Sequence, residues 1–65
     1  MELIEKLKLV EHTLSLQLIR DIKEYKSTYL IIFGKEFKYS CDCQLHRIRI
    51  DLLNWYNENS KLINN

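Results

Sequence analysis

Nine apolar residues, Leu3, Leu7, Val10, Leu14, Leu18, Ile22, Tyr25, Tyr29 and Ile32, follow one another in steps of three or four. That spacing keeps them on a single face of an α-helix, whose repeat is 3.6 residues, and it is incompatible with the period of two that a strand requires. The first half of the chain is therefore predicted to be helical. Gly34, the single glycine of the sequence, directly follows Phe33 and suits the left-handed backbone position that closes a helix. Within the stripe, Glu11-His12-Thr13 marks the expected interruption. Thr13 can cap a new helix, and Glu11 would otherwise fall on the apolar face. Leu14, Leu16 and Leu18 alternate as a strand would, but no hairpin turn precedes them and helical spacing returns from Arg20.

A second stripe runs through Leu45, Ile48, Leu52, Trp55, Tyr56, Leu62 and Ile63, so another helix is predicted from about residue 41, capped by Ser40 or Asp42 and fraying after Asn59. Phe37 and Tyr39 alternate with lysines between the two stripes, and one such stretch alone makes no sheet. Residues 34–40 are read as a loop. The expected fold is all-α, a single small domain over residues 1–65. It is either a helical hairpin centred on Ile22, Tyr25, Tyr29, Ile48, Leu52 and Trp55 or a three-helix domain in which the N-terminal segment folds back. Leu9, Leu16, Ile19 and Leu30 lie off the main stripe, which calls for a second covering surface: either that third helix or a second copy of the chain.

Size then bounds function. A chain of 65 residues buries only about 60% of the surface its unfolded form exposes, and a deep substrate cleft would consume scarce core. Ten basic and nine acidic residues give a net charge of +1, whereas dedicated nucleic-acid binders carry a marked basic excess. The longest apolar run, Leu30-Ile31-Ile32-Phe33, is far too short to span a membrane, and Met1-Glu2-Leu3-Ile4-Glu5 lacks the basic start of a secretion signal. A cytoplasmic protein without membrane contact is expected.

Chemistry-bearing residues are few. Cys41, Cys43 and His46 have donor atoms that bind zinc, but the fourth ligand would have to be His12 from the first helix, and the spacing matches no paired-knuckle site. No metal or other cofactor is expected. Two cysteines separated by one residue make a poor disulfide framework, so reduced thiols are predicted. Cys43 in a first helical turn, with Lys38 or Arg47 nearby, would have a stabilised thiolate. Nucleophilic catalysis nevertheless needs a positioned base and a pocket, and neither is legible. There is no glycine-rich phosphate loop and no carboxylate pair, so the chain is not expected to be an enzyme.

Binding surfaces are more legible. His46, Arg49, Ile50, Leu53 and Asn57 fall together on the side of the second helix that its core stripe leaves free, a mixture of charge, amide and aliphatic groups suited to a protein partner. Lys35, Lys38, Tyr39 and Arg47 form a local basic cluster with an aromatic, able to contact phosphate. The plainer alternative for that cluster is ordinary surface charge, with Arg47 pairing one turn on with Asp51.

The stretch carrying Tyr29, Phe33-Gly34-Lys35, Ser40-Cys41, Cys43, Ile48 and Trp55 resembles small helical proteins encoded by phages of Bacteroidetes bacteria. It covers about half the chain and contains no catalytic or metal motif. The resemblance implies a protein that acts in the host cytoplasm by binding and disabling a larger host protein or ribonucleoprotein, a class similar to the anti-CRISPR inhibitors of RNA-guided nucleases. Two alternatives stand beside it: a self-associating structural or virion-associated protein, and a small nucleic-acid-binding protein.

Overall fold

The computed structural model describes residues 2–63. Three α-helices, α1 (Leu3–Leu14), α2 (Ile22–Phe33) and α3 (His46–Ile63), account for nearly all of the regular structure, with a short 3-10 turn at Asp42–Gln44 leading into α3. Of the two architectures open to the sequence, the three-helix domain forms. The N-terminal segment docks as α1 against both other helices, most extensively against α3. No strand occurs among the described residues.

All nine residues of the first stripe are buried or half-buried. Val10 from α1, Tyr25 and Tyr29 from α2, and Ile48 and Leu52 from α3 form the central cluster. Trp55, Ile22, Phe33 and Phe37 pack on its margin. Tyr29 meets Phe33 at 4.5 Å between ring centroids and Phe37 edge-on at 5.3 Å, an arrangement the aromatic quadrupole favours. Leu62, expected in the second stripe, is instead 71% exposed. The helix runs past Asn59, where fraying is expected, and Asn59 and Ser60 remain half-buried while Lys61 and Leu62 are exposed. Ile63, the last member of that stripe, lies outside the described side chains.

The break between the first two helices is displaced from its expected position. It falls at residues 15–21 rather than near Glu11-His12-Thr13. Thr13 does not cap a helix. It is buried, and its hydroxyl donates back to the Leu9 carbonyl at 2.9 Å. A hydroxyl has one hydrogen, so the 2.7 Å contact between Thr13 Oγ1 and Thr28 Oγ1 must be donated by Thr28. The two buried hydroxyls thus satisfy each other across the α1–α2 interface. Glu11 stays exposed at the edge of the core, where its carboxylate accepts a hydrogen bond from the Tyr56 hydroxyl at 3.2 Å.

Two further devices fix the ends of the elements. The fully buried Tyr25 donates its hydroxyl to the Leu16 carbonyl at 2.8 Å, which holds the connection onto the core. Gly34 adopts φ 72°, the left-handed region, and its N–H donates to the Leu30 carbonyl at 2.8 Å. It ends α2 where the sequence places the end, because a side chain at that φ would meet its own backbone.

Thr13→Val leaves the Thr28 hydroxyl without its acceptor, and the expected cost is about 1–3 kcal/mol. The double variant Thr13→Val/Thr28→Val removes both polar groups and should cost clearly less than the sum of the singles. Urea unfolding of the four proteins in a double-mutant cycle measures the difference. Additive losses would show that the hydroxyls do not depend on each other.

Candidate functional site

The exposed side of α3 and the α1–α2 connection enclose a groove of about 520 Å³, lined by Leu16, Leu18, His46, Arg49, Ile50 and Leu53. Four of the five residues expected to form a binding face converge here. Helical geometry brings them together, since positions 46, 49, 50 and 53 are spaced by three or four residues. Asn57, one turn further along, is exposed and does not line the groove. Leu16 and Leu18 form the opposite wall. The apolar spacing around them predicts a helix, whereas the turn at residues 15–21 swings them across toward α3. Leu14, Leu16 and Leu18 alternate with the polar Ser15 and Gln17, but that pattern points to a strand, whereas residues 15–21 form a turn.

The groove is an aliphatic floor with a basic rim. Ile50 is 49% exposed and Leu53 41%. No acidic side chain lines it, so the Arg49 charge meets nothing of opposite sign within it. Ile19, 69% exposed, stands on the same connection.

The expected phosphate cluster is brought together only in part. Lys35, Lys38 and Arg47 line a cleft of about 660 Å³ with Tyr29, Phe37 and Gln44, but Glu36 and Asp51 line it as well. Two carboxylates beside three cations leave little net attraction for a phosphate. Arg47 and Asp51 form no ion pair; among the described residues the ion pair is Arg20–Asp21, at 3.4 Å. Tyr39 is absent from the cleft. It stacks on Phe37 at 5.8 Å, lies under the Lys26 ammonium at 4.8 Å and accepts a hydrogen bond from it at 3.0 Å. The loop at residues 34–40 is thereby folded onto α2.

Cys41 and Cys43 are joined in a disulfide, contrary to the reduced thiols expected. The expectation rests on two cysteines one residue apart lying too near in sequence for a relaxed bridge. Here Cys41 is extended at φ −152° and ψ 158°, and the 3-10 turn that follows brings the two Cα atoms to 5.3 Å, inside the span a disulfide takes. The bonded sulfurs leave His46 without thiolate partners for a metal. No group of three His, Cys, Asp or Glu that could hold an ion occurs among the described residues. Likewise, no helix among them is long and apolar enough to cross a membrane.

Leu9, Leu16, Ile19 and Leu30, grouped by the sequence as one self-association face, do not share an element. Leu9 is on α1, Leu30 on α2, and Leu16 and Ile19 on the connection between them. Leu9 and Leu16 are half-buried, while Ile19 and Leu30 are exposed.

Two tyrosines are held neutral above the ordinary phenol value of about 10. Burial, followed by the Asp51 carboxylate, raises Tyr29, and the Arg47 charge offsets part of this. The hydrogen bond to Glu11, followed by that carboxylate's charge, raises Tyr56. Because both values rise on folding, the stability they contribute is complete below pH about 10 and is lost as pH climbs through the higher folded values. Thermal unfolding followed from pH 8 upward should show a midpoint that declines above about 10. Tyr29→Phe/Tyr56→Phe should make that decline shallower, and an unchanged alkaline limb would contradict the assignment.

No family model, curated protein or solved structure matches the chain.

Proposed function

We propose that this chain is a non-catalytic binding protein, an inhibitor or adaptor that docks on a larger protein through the groove between the α1–α2 connection and α3. The observation that carries the reading is the composition of that groove: four aliphatic side chains flanked by His46 and Arg49, with no acid among them. Exposed aliphatics beside an uncompensated arginine suit a partner segment that inserts an apolar anchor and carries a carboxylate at its edge. The resemblance to small phage proteins supports an inhibitor of a host machine, and an RNA-guided nuclease is a machine of the expected kind. The reading places the protein in the host cytoplasm and assigns it neither cofactor nor catalysis.

Direct nucleic-acid binding is the less favoured reading, because Glu36 and Asp51 stand in the cleft that gathers Lys35, Lys38 and Arg47. Self-association through the first helix is also less favoured, since the apolar residues that motivated it are spread over three elements.

The test is capture from a lysate of Bacteroidetes cells with the immobilised chain, followed by affinity measurement on the species recovered. Leu53→Asp and Arg49→Glu should each weaken that species by at least about tenfold, the loss typical of a central contact. Leu62→Asp, at a site 71% exposed and outside the groove, should bind as the parent chain does. Affinity should also fall as salt is raised, because the Arg49 contribution is screened. A partner that survives both groove substitutions would overturn the assignment of the face. The absence of any partner, with a stable oligomer in light scattering, would transfer the reading to self-assembly.

A further inference from the structure

The Cys41–Cys43 bond takes no part in the groove or the core. Both cysteines are exposed, so a thiolate from outside the domain can approach either sulfur. Neither belongs to the core cluster or to the side chains packed against it. The turn that carries them has its own supports: Gln44 N–H donates to the Cys41 carbonyl at 3.0 Å, Leu45 N–H to the Asp42 carbonyl at 3.1 Å, and Ser40 N–H to Gln44 Oε1 at 3.0 Å. Leu45, immediately after the turn, is buried and anchors it.

A cross-link stabilises a fold chiefly by restricting the unfolded chain, and that restriction grows with the length of the loop it closes. Here the loop contains only Asp42 between the two cysteines, so the unfolded chain loses little freedom to the bond. A structural disulfide in a small domain would instead join distant elements, as α1 to α3. The position and span of this bond suit chemistry at the surface better than support of the fold.

We propose that Cys41 and Cys43 form a thiol–disulfide exchange site that passes two electrons between this domain and an external dithiol. In the reducing direction, one thiolate of the dithiol attacks either cysteine sulfur. A mixed disulfide forms, the Cys41–Cys43 bond breaks, and its electron pair leaves on the other cysteine, which takes a proton from water. The second thiol of the dithiol loses its proton to water and attacks the external sulfur of the mixed disulfide. The second cysteine is released as a thiolate and is protonated in turn. The domain gains two electrons and two protons, and the dithiol becomes a cyclic disulfide. In reverse, a disulfide oxidant is attacked by one cysteine, and the neighbouring cysteine, one residue away, resolves the adduct within the same molecule. The site is independent of the groove and stands or falls without it.

The experiment equilibrates the full chain with graded ratios of reduced to oxidised dithiothreitol, quenches with acid, alkylates free thiols and counts adducts by mass spectrometry. Circular dichroism and thermal unfolding are recorded at both extremes. The expected result is a single transition from no adduct to two without denaturant, full return on adding oxidised glutathione, and retained helicity. The shift in unfolding midpoint should be smaller than the roughly 4–8 °C that 1 kcal/mol produces in a domain of this size. Cys43→Ser should retain glutathione on Cys41, an adduct that the parent chain discards. Helicity lost on reduction would identify a structural bond and overturn the proposal. Thiols that return only as glutathione adducts or intermolecular dimers would overturn it as well.

Discussion

The hydrogen bond from the Tyr25 hydroxyl to the Leu16 carbonyl is the contact on which the arrangement of the surface depends. Tyr25 is fully buried at the centre of the three helices, and its phenol needs a partner there because an unpaired polar group in a core is costly. The partner it takes is a backbone carbonyl of the connection, released from helical bonding by the turn at residues 15–21. One bond therefore satisfies the core tyrosine and fixes the height at which Leu16 and Leu18 emerge beside α3. The wall of the groove is set from the middle of the protein.

The helix faces were legible because each is a local property. A step of three or four residues specifies which side of a helix is apolar, and every residue of the first stripe is at least half-buried. The same regularity hid the break, since Leu14, Leu18 and Ile22 are each four apart and satisfy a continuous helix as well as an interrupted one. What distinguishes the two is the long-range pairing of Thr13 with Thr28 and of Tyr25 with Leu16. Neither can be read from a window of neighbouring residues. Four members of the candidate face could be read for the reason the stripes could, namely a shared position on one helix. Leu16 and Leu18 could not, because they reach that face only through the turn.

The basic cluster shows the opposite failure. Lys35, Lys38 and Arg47 do converge, but counting cations along a loop does not reveal which anions the fold brings beside them. Asp51 reaches the same cleft from one turn along α3, and Glu36 from within the loop itself. Tyr39 is diverted by Phe37 and Lys26, whose hold on it depends on how the loop lies against α2. The cysteines were misjudged for a related reason: the distance between residues two apart depends on backbone conformation, and a 3-10 turn was not foreseen at Asp42.

A domain with so few fully buried side chains has little stability to spare, and the distribution of its residues follows from that. Val10, Tyr25, Ile48 and Leu52 are completely removed from solvent, and truncating any of them would cost several kcal/mol against a total that is marginal for a chain this short. Arg49, Ile50 and Leu53 stand on the same helix as two of these residues but face outward, where substitution typically costs a few tenths of a kcal/mol. One helix thus carries two constraints that scarcely interfere. Its inner face determines whether the domain folds, and its outer face can be varied to suit a partner without endangering the fold.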